Sequence, residues 1–152
     1  MSVLLLAQLA CANAFAGRSC ESEPPQVGKV EAAMNLAQAT AKALDSSGAQ
    51  VVVLARAGQD LRKYGLQYSH LGFAYRETKG TWRVTHKLNQ CGSNQAALYR
   101  QGLAEFVLDD LFDHQVAIVV LNPELQARLL PILKDNSRLA AMHTPAYNMV
   151  AY

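Results

Sequence analysis

The spacing of apolar and polar positions changes several times along the chain, and each change marks an element. Val27, Val30, Met34, Ala37, Ala41 and Leu44 recur at intervals of three and four, which predicts one amphipathic helix packed on a core. Ser46-Ser47-Gly48 stops it. Val51-Val52-Val53-Leu54-Ala55 is unbroken and predicts a central strand buried on both faces. Residues 58–65 read as a loop or one helical turn. Residues 68–75 and 81–88 are rich in aromatic and β-branched side chains and flank Glu77-Thr78-Lys79-Gly80. That arrangement predicts a β-hairpin with a glycine-containing loop.

Beyond the hairpin, residues 89–94 read as a turn, with Ser93 or Asn94 capping a helix that runs to about Arg100. Residues 102–112 are apolar and end among Asp109, Asp110 and Asp113. Residues 116–121 predict a second buried strand. Asn122-Pro123 opens another helix, asparagine at the N-cap and proline at the first helical position. Its buried stripe is Leu125, Leu129, Ile132 and Leu133, and Pro131 predicts a kink or an early end. The pattern predicts an α+β fold. Its sheet is mixed and largely antiparallel, with strands at Val51, Tyr68, Thr81 and Val116 and the Val27 helix packed on one face.

Composition fits a folded chain, 51% hydrophobic and 17% charged, with a net charge of +2 and no cluster of basic residues. This excludes a nucleic-acid footprint among the expected partners. The apolar run at 3–12 followed by Ala14-Phe15-Ala16 predicts a secretory signal peptide over residues 1–16, cleaved before Gly17. A single domain over 17–152 would then lie in the periplasm or outside the cell. Cys11 raises a lipid anchor as an alternative, although Gln8 stands where a lipobox has leucine. No later segment is long enough to span a membrane. The apolar ending Met149-Val150-Ala151-Tyr152 predicts further chain beyond it.

The hairpin carries the candidate chemistry. With the loop centred on Thr78, His70 lies almost opposite His86, and cross-strand Cβ atoms on one face are about 5 Å apart. Two imidazoles at that distance form one site, or they are ordinary strand histidines satisfied by hydrogen bonds. A one-residue slip would put them on opposite faces. Once the leader is removed, Cys20 and Cys91 are the remaining cysteines, and in an oxidising compartment such a pair reads as a disulfide. The alternatives are a nucleophilic Cys91 and an unpaired thiol. Cys91-Gly92-Ser93 matches the start of a papain-like signature, but Asn94 occupies the position of its nucleophile. A metal held by His70, His86 and His143 or an aspartate has no spacing motif behind it. No cofactor motif is present, and Ser69 beside His70 points to the other face of the strand.

Several stretches together resemble an uncharacterised family of secreted Gram-negative proteins, a domain of unknown function. They are residues 55–61, Tyr68-Ser69-His70-Leu71-Gly72, Trp82-Arg83-Val84, residues 101–106 and residues 147–152. The Ser-His-x-Gly element beside a Trp-containing strand is the most specific of these. The family in turn resembles the circularly permuted NlpC-type branch of the papain-like superfamily. That likeness implies a papain-like half-barrel lacking its terminal helix here, with an Asn-Cys segment beyond Tyr152. It also implies hydrolysis of an amide or peptide bond, with cell-wall peptides as natural substrates. His70 matches the base and His86 the orienting residue, while the nucleophilic cysteine has no counterpart in these residues. An open, partly apolar groove beside His70 is expected where the missing helix would lie. The alternative is a non-catalytic periplasmic binding or envelope protein on the same fold.

Overall fold

A computed structural model describes residues 26–90, 95–109 and 111–146, together with Pro24 and Ser93. The signal segment, Cys20, Cys91, Asn94, Asp110 and residues 147–152 lie outside the described residues, and the Cys20–Cys91 pairing lies there with them.

Among the described residues the elements run α1 (Val27–Ser46), β1 (Val51–Ala57), β2 (His70–Arg76), β3 (Trp82–Asn89), β4 (Ala96–Gly102), α2 (Leu103–Leu108), β5 (Asp113–Val120), α3 (Pro123–Lys134) and α4 (Asn136–Met142). A 3-10 turn at Arg62–Tyr64 lies in the β1–β2 connection. The strands form one five-stranded sheet in the order β4-β3-β2-β1-β5. Every neighbouring pair is antiparallel, so the fold is α+β with an open, wholly antiparallel sheet.

Alternation along the strands sorts side chains onto two faces. Val52, Leu54, Ala74, Trp82 and Val84 join Ala33, Ala37 and Leu44 of α1 and Leu103, Phe106 and Val107 of α2 in the main core. Val51 and Tyr75 point the other way, against Leu133, with Leu129, Leu130 and Leu139 beside them. The helix α1 keeps part of the expected stripe, with Ala37 and Leu44 buried and Ala41 packed against the core, and turns the rest of it outward. It buries Ala33, Ala37, Thr40 and Leu44, while Val27 is 85% and Met34 38% exposed. Alanines let α1 approach closely, and the Thr40 hydroxyl is satisfied by donating to the Leu36 carbonyl at 2.7 Å. At the far end of α1, Asp45 accepts from the Trp82 indole at 2.9 Å and pairs with Arg76 at 3.3 Å. These contacts fasten the helix to the hairpin.

Three expectations need correction. The helix expected up to Arg100 is instead β4, whose seven residues pair with β3 from Asn89↔Ala96 to Arg83↔Gly102. Its alanines favour a helix locally, but the unpaired edge of β3 satisfies its backbone groups and decides the outcome. The strand after Asp113 is not buried on both faces. As the sheet edge it leaves Val119 56% and Val120 52% exposed. In α3 most of the expected stripe holds: Leu133 is buried and Leu129 packs with it, while Leu125 is 40% exposed. Pro131 does not end α3, which continues to Lys134. Asp135 then caps α4 by accepting from the Ser137 and Arg138 amides.

The hairpin register is also shifted from expectation. Its pairs run from Phe73↔Thr85 to Arg76↔Trp82, so the turn is centred on Lys79. Gly80 at φ +84° and hydrogen bonds from Glu77 N to Thr81 O and from Gly80 N to Glu77 O close the loop. This register brings Gly72, not His70, level with His86. A Cβ placed on Gly72 would lie 2.9 Å from His86 Cβ, the Thr85 carbonyl oxygen and Val84 Cγ1. Two of those atoms cannot swing away.

Gly72→Ala should therefore force the β2–β3 ladder apart and destabilise the protein by about 1–3 kcal/mol. Gly28→Ala meets nothing within 4 Å and should be neutral or stabilising by up to about 1 kcal/mol. Urea unfolding of both variants checks this, and an unchanged midpoint for Gly72→Ala would contradict it.

Candidate functional site

The polar side chains of the main-core face form a row that crosses the sheet diagonally. It starts where β2 begins with His70, which pairs in register with Arg56, the second-last residue of β1. On β3, His86 lies on the same face as His70, offset along the neighbouring strand. On β4, Gln101 pairs with Val84 and Tyr99 with His86. From above, α2 lowers Phe106 onto this row.

His70 Nε2 lies 2.8 Å from His86 Nδ1, and His86 Nε2 lies 2.7 Å from the Gln101 side-chain oxygen. An amide oxygen can only accept, so His86 Nε2 carries the proton and donates to it. His86 Nδ1 then holds a lone pair and accepts from His70 Nε2–H. That leaves the His70 Nδ1 lone pair as the outward end of the chain, and among the described residues none donates to it. The relay is directional: Gln101 fixes the tautomer of His86, and His86 fixes that of His70.

The pair is set in apolar and charged surroundings. His86 is 3% exposed and His70 is half-buried. The Phe106 ring centroid lies 5.2 Å from that of His86, edge-on, and 6.0 Å from that of His70. The expected groove beside His70 is thus partly filled by Phe106. Arg56, 4% exposed, donates Nη1 to the Phe106 carbonyl and Nη2 to Asp109 at 2.7 Å. Its guanidinium carbon lies 4.9 Å from the Phe106 ring centroid. Burial first, then the Arg56 charge and His86, push His70 down to about 4, against a partial upward pull from Asp109. Burial also lowers His86, while the Gln101 hydrogen bond counteracts part of that drop. Both rings are neutral at neutral pH.

His70 and His86 are brought together as a diagonal pair rather than directly opposite. Their shared face survives the register change because the centre of the turn moved by one whole residue, which preserves alternation. His143 is not with them, and its Nε2 contacts the Ala96 carbonyl at 3.1 Å. Among the described residues no group of three or more His, Cys, Asp or Glu side chains is placed to hold a metal. Ser69 turns from the site, as strand alternation requires, and its hydroxyl accepts from Gln59 N at 2.8 Å. Arg56, Gln101, Phe106 and Asp109 are site residues that the pattern did not single out. Arg56 carries a readable signal, a cation directly continuing the apolar run of β1. Gln101 becomes readable only once β4 is recognised as a strand.

Residues 43–152 match the family described as uncharacterized proteins conserved in bacteria, DUF2145. The match spans most of the chain, and the protein belongs to that family. Searches of the curated proteins and of the solved structures find no match. Among the described residues no helix is long and apolar enough to cross a membrane.

The lowered His70 sets a pH dependence. Its ordinary value is 6.5 and its folded value about 4. Between the two, the unfolded chain binds the proton that the folded chain refuses. Stability should therefore be full above about pH 6.5 and decline as pH falls toward 4. His86, lowered as well, acts in the same direction. Urea midpoints across this range and an NMR titration of the His70 ring check it, and a midpoint that rose on acidification would contradict it.

Proposed function

We propose that this protein is a secreted or periplasmic thiol hydrolase of the papain-like kind, acting on amide or peptide bonds, with His70 as the base. The single observation behind the reading is the directed hydrogen-bond chain Gln101–His86–His70. In papain-like enzymes a polar residue on the next strand holds the catalytic imidazole and leaves its other nitrogen for the thiol. His86, on the strand after His70, stands in that relation to it. Secretion rests on the signal-like segment over residues 1–16, and cell-wall peptides are the natural substrate class.

In this reading the attacking thiol belongs to the Asn-Cys segment expected beyond Tyr152, while Cys20 and Cys91 bond to each other. The path of the chain supports the delivery. Ala146 bridges Gln95, Ala96 N donates to the Pro145 carbonyl at 2.7 Å, and Lys87 Nζ donates to the Ala146 carbonyl at 2.8 Å. Residues 145–146 are therefore fastened at the same end of the sheet as His70.

The steps follow from the tautomer. His70 Nδ1 takes the thiol proton, and the sulfur attacks the carbonyl carbon. His70 then returns that proton to the leaving nitrogen as the C–N bond breaks, which leaves a thioester. A water gives its proton to Nδ1 and attacks, and the sulfur departs to regain the proton. A thiolate beside His70 would favour the imidazolium and lift the ring from its low resting value toward the working range. His86 shares the new charge through its hydrogen bond, and Gln101 prevents it from turning.

The test uses the native chain extended through the Asn-Cys segment. Chromogenic peptidyl anilides and esters should be hydrolysed, and His70→Ala should lower the rate by about 10²–10⁴-fold. Gln101→Leu, which removes the acceptor but not the base, should cost less than His70→Ala. Equal rates for the parent and His70→Ala would remove His70 from the mechanism. Complete inactivity of the folded, extended parent on all substrates would favour a non-catalytic binding protein.

A further inference from the structure

One charged group beside His70 in register plays no part in the steps above. Arg56 is a buried cation on β1, and a guanidinium in such a place costs stability unless its donors are used. Its two terminal nitrogens are spent at α2, Nη1 on the Phe106 carbonyl and Nη2 on the Asp109 carboxylate just beyond the helix, whereas its buried Nε makes no hydrogen bond among the described residues. The same helix has only six residues and needs an external tie to hold a fixed angle.

We propose that Arg56 is a positioning residue of the His70 site: by gripping Phe106 and Asp109 it holds the end of α2 over the pair and presses the Phe106 ring against both imidazoles. The proposal rests on the base role given to His70, but its geometry stands without it. The distances form a closed circuit. Arg56 pairs in register with His70, its guanidinium covers one side of the Phe106 ring at 4.9 Å, and that ring meets both imidazoles. A loose α2 would admit water to the His70–His86 hydrogen bond and let either ring turn.

The clamp also has an electrostatic consequence with a definite sign. The charged and titratable groups that act on His70 are Arg56 from β1, His86 from β3 and Asp109 after α2. Arg56 disfavours a proton on His70 and Asp109 favours it. The partners of one ion pair therefore bias the base in opposite directions, and the pair as a whole disturbs it less than either alone. Breaking the pair from either side loosens the same contact, so the opposite signs report the two charges, and the ring currents on both imidazoles report where Phe106 sits.

The experiment is an NMR titration of the His70 ring, with nitrogen-15 shifts to read its tautomer. Arg56→Gln should raise the His70 pKa, and Asp109→Asn should lower it. Arg56→Lys keeps the charge without the fork. It should leave the pKa low while shifting the ring-current signals of both imidazoles as Phe106 moves. Unmoved ring-current signals in Arg56→Lys and Arg56→Gln, or His70 shifts of the same sign in the Gln and Asn variants, would overturn the proposal. Asp109 is 44% exposed at its side chain, so Asp109→Asn remains informative even if Arg56→Gln does not fold. None of these readings needs catalysis. A hydrolase that fails its activity test leaves the clamp standing, and a clamp that fails leaves the hydrolase reading standing.

Discussion

The contact between His70 and His86 depends on the number of residues in one turn. Arg76↔Trp82 is the last pair before the loop, so five residues connect the strands and even-numbered positions of β2 and β3 share a face. One residue more or fewer would send His86 to the α3 side and leave His70 facing Phe106 alone. Gly80 makes that loop length affordable by accepting a left-handed conformation. Gly72 completes the arrangement from the other direction. The diagonal approach of the imidazoles needs β2 and β3 close together at a point where any side chain would meet the Thr85 carbonyl. Two glycines on one hairpin thus set the register and the clearance on which the site rests.

The choice of an amide at the end of the relay has a physical reason. A carboxylate in place of Gln101 would orient His86 equally well, but its charge would draw a proton onto the pair. The neutral amide orients His86 without that effect. With Arg56 nearby and most of both rings away from water, the pair stays uncharged. The oxygen of Gln101 faces His86, and this sets the sense of the chain. If the amide nitrogen faced His86, each proton along the chain would reverse, and His70 Nδ1 would be a donor instead of an acceptor.

Much of this was legible in the sequence, and the exceptions have identifiable causes. The hairpin and the central strand declared themselves because period-two and unbroken apolar runs have few other uses. The shared face of His70 and His86 followed from alternation alone and was insensitive to a one-residue error in the centre of the turn. The strand β4 was missed because Ala96 and Ala97 favour a helix over a short window. What makes the segment a strand is the β3 edge, a partner distant from it in sequence. The buried stripe of α1 was only partly legible for a related reason. Ala37 and Leu44 are buried as the spacing implied, but the first turns of the helix face outward, and close packing adds Ala33 and Thr40 instead of Val27 and Met34. Gln101 and Phe106 stayed hidden with the elements that carry them. Arg56 was visible as a cation at the end of an apolar run, but its purpose appears only when α2 is folded over it.

Strand and loop divide the work at this end of the sheet. The three relay residues, and Arg56 with them, sit on strands whose backbone pairing restricts their movement. Around them lie connections held by local bonds. Ser69 accepts from Gln59, Asp60 takes a forked pair of hydrogen bonds from Arg62, and Phe112 N donates to the Gly58 carbonyl. The Arg62 guanidinium lies 4.7 Å from the Phe112 ring centroid. The β1–β2 connection is therefore tied to the segment between α2 and β5, next to the Asp109 end of the clamp. A molecule approaching His70 Nδ1 would meet these connections first and the strands behind them second. Changes in the rim would alter what reaches His70 without breaking the bonds among Gln101, His86 and His70, since those three bond to one another within the sheet.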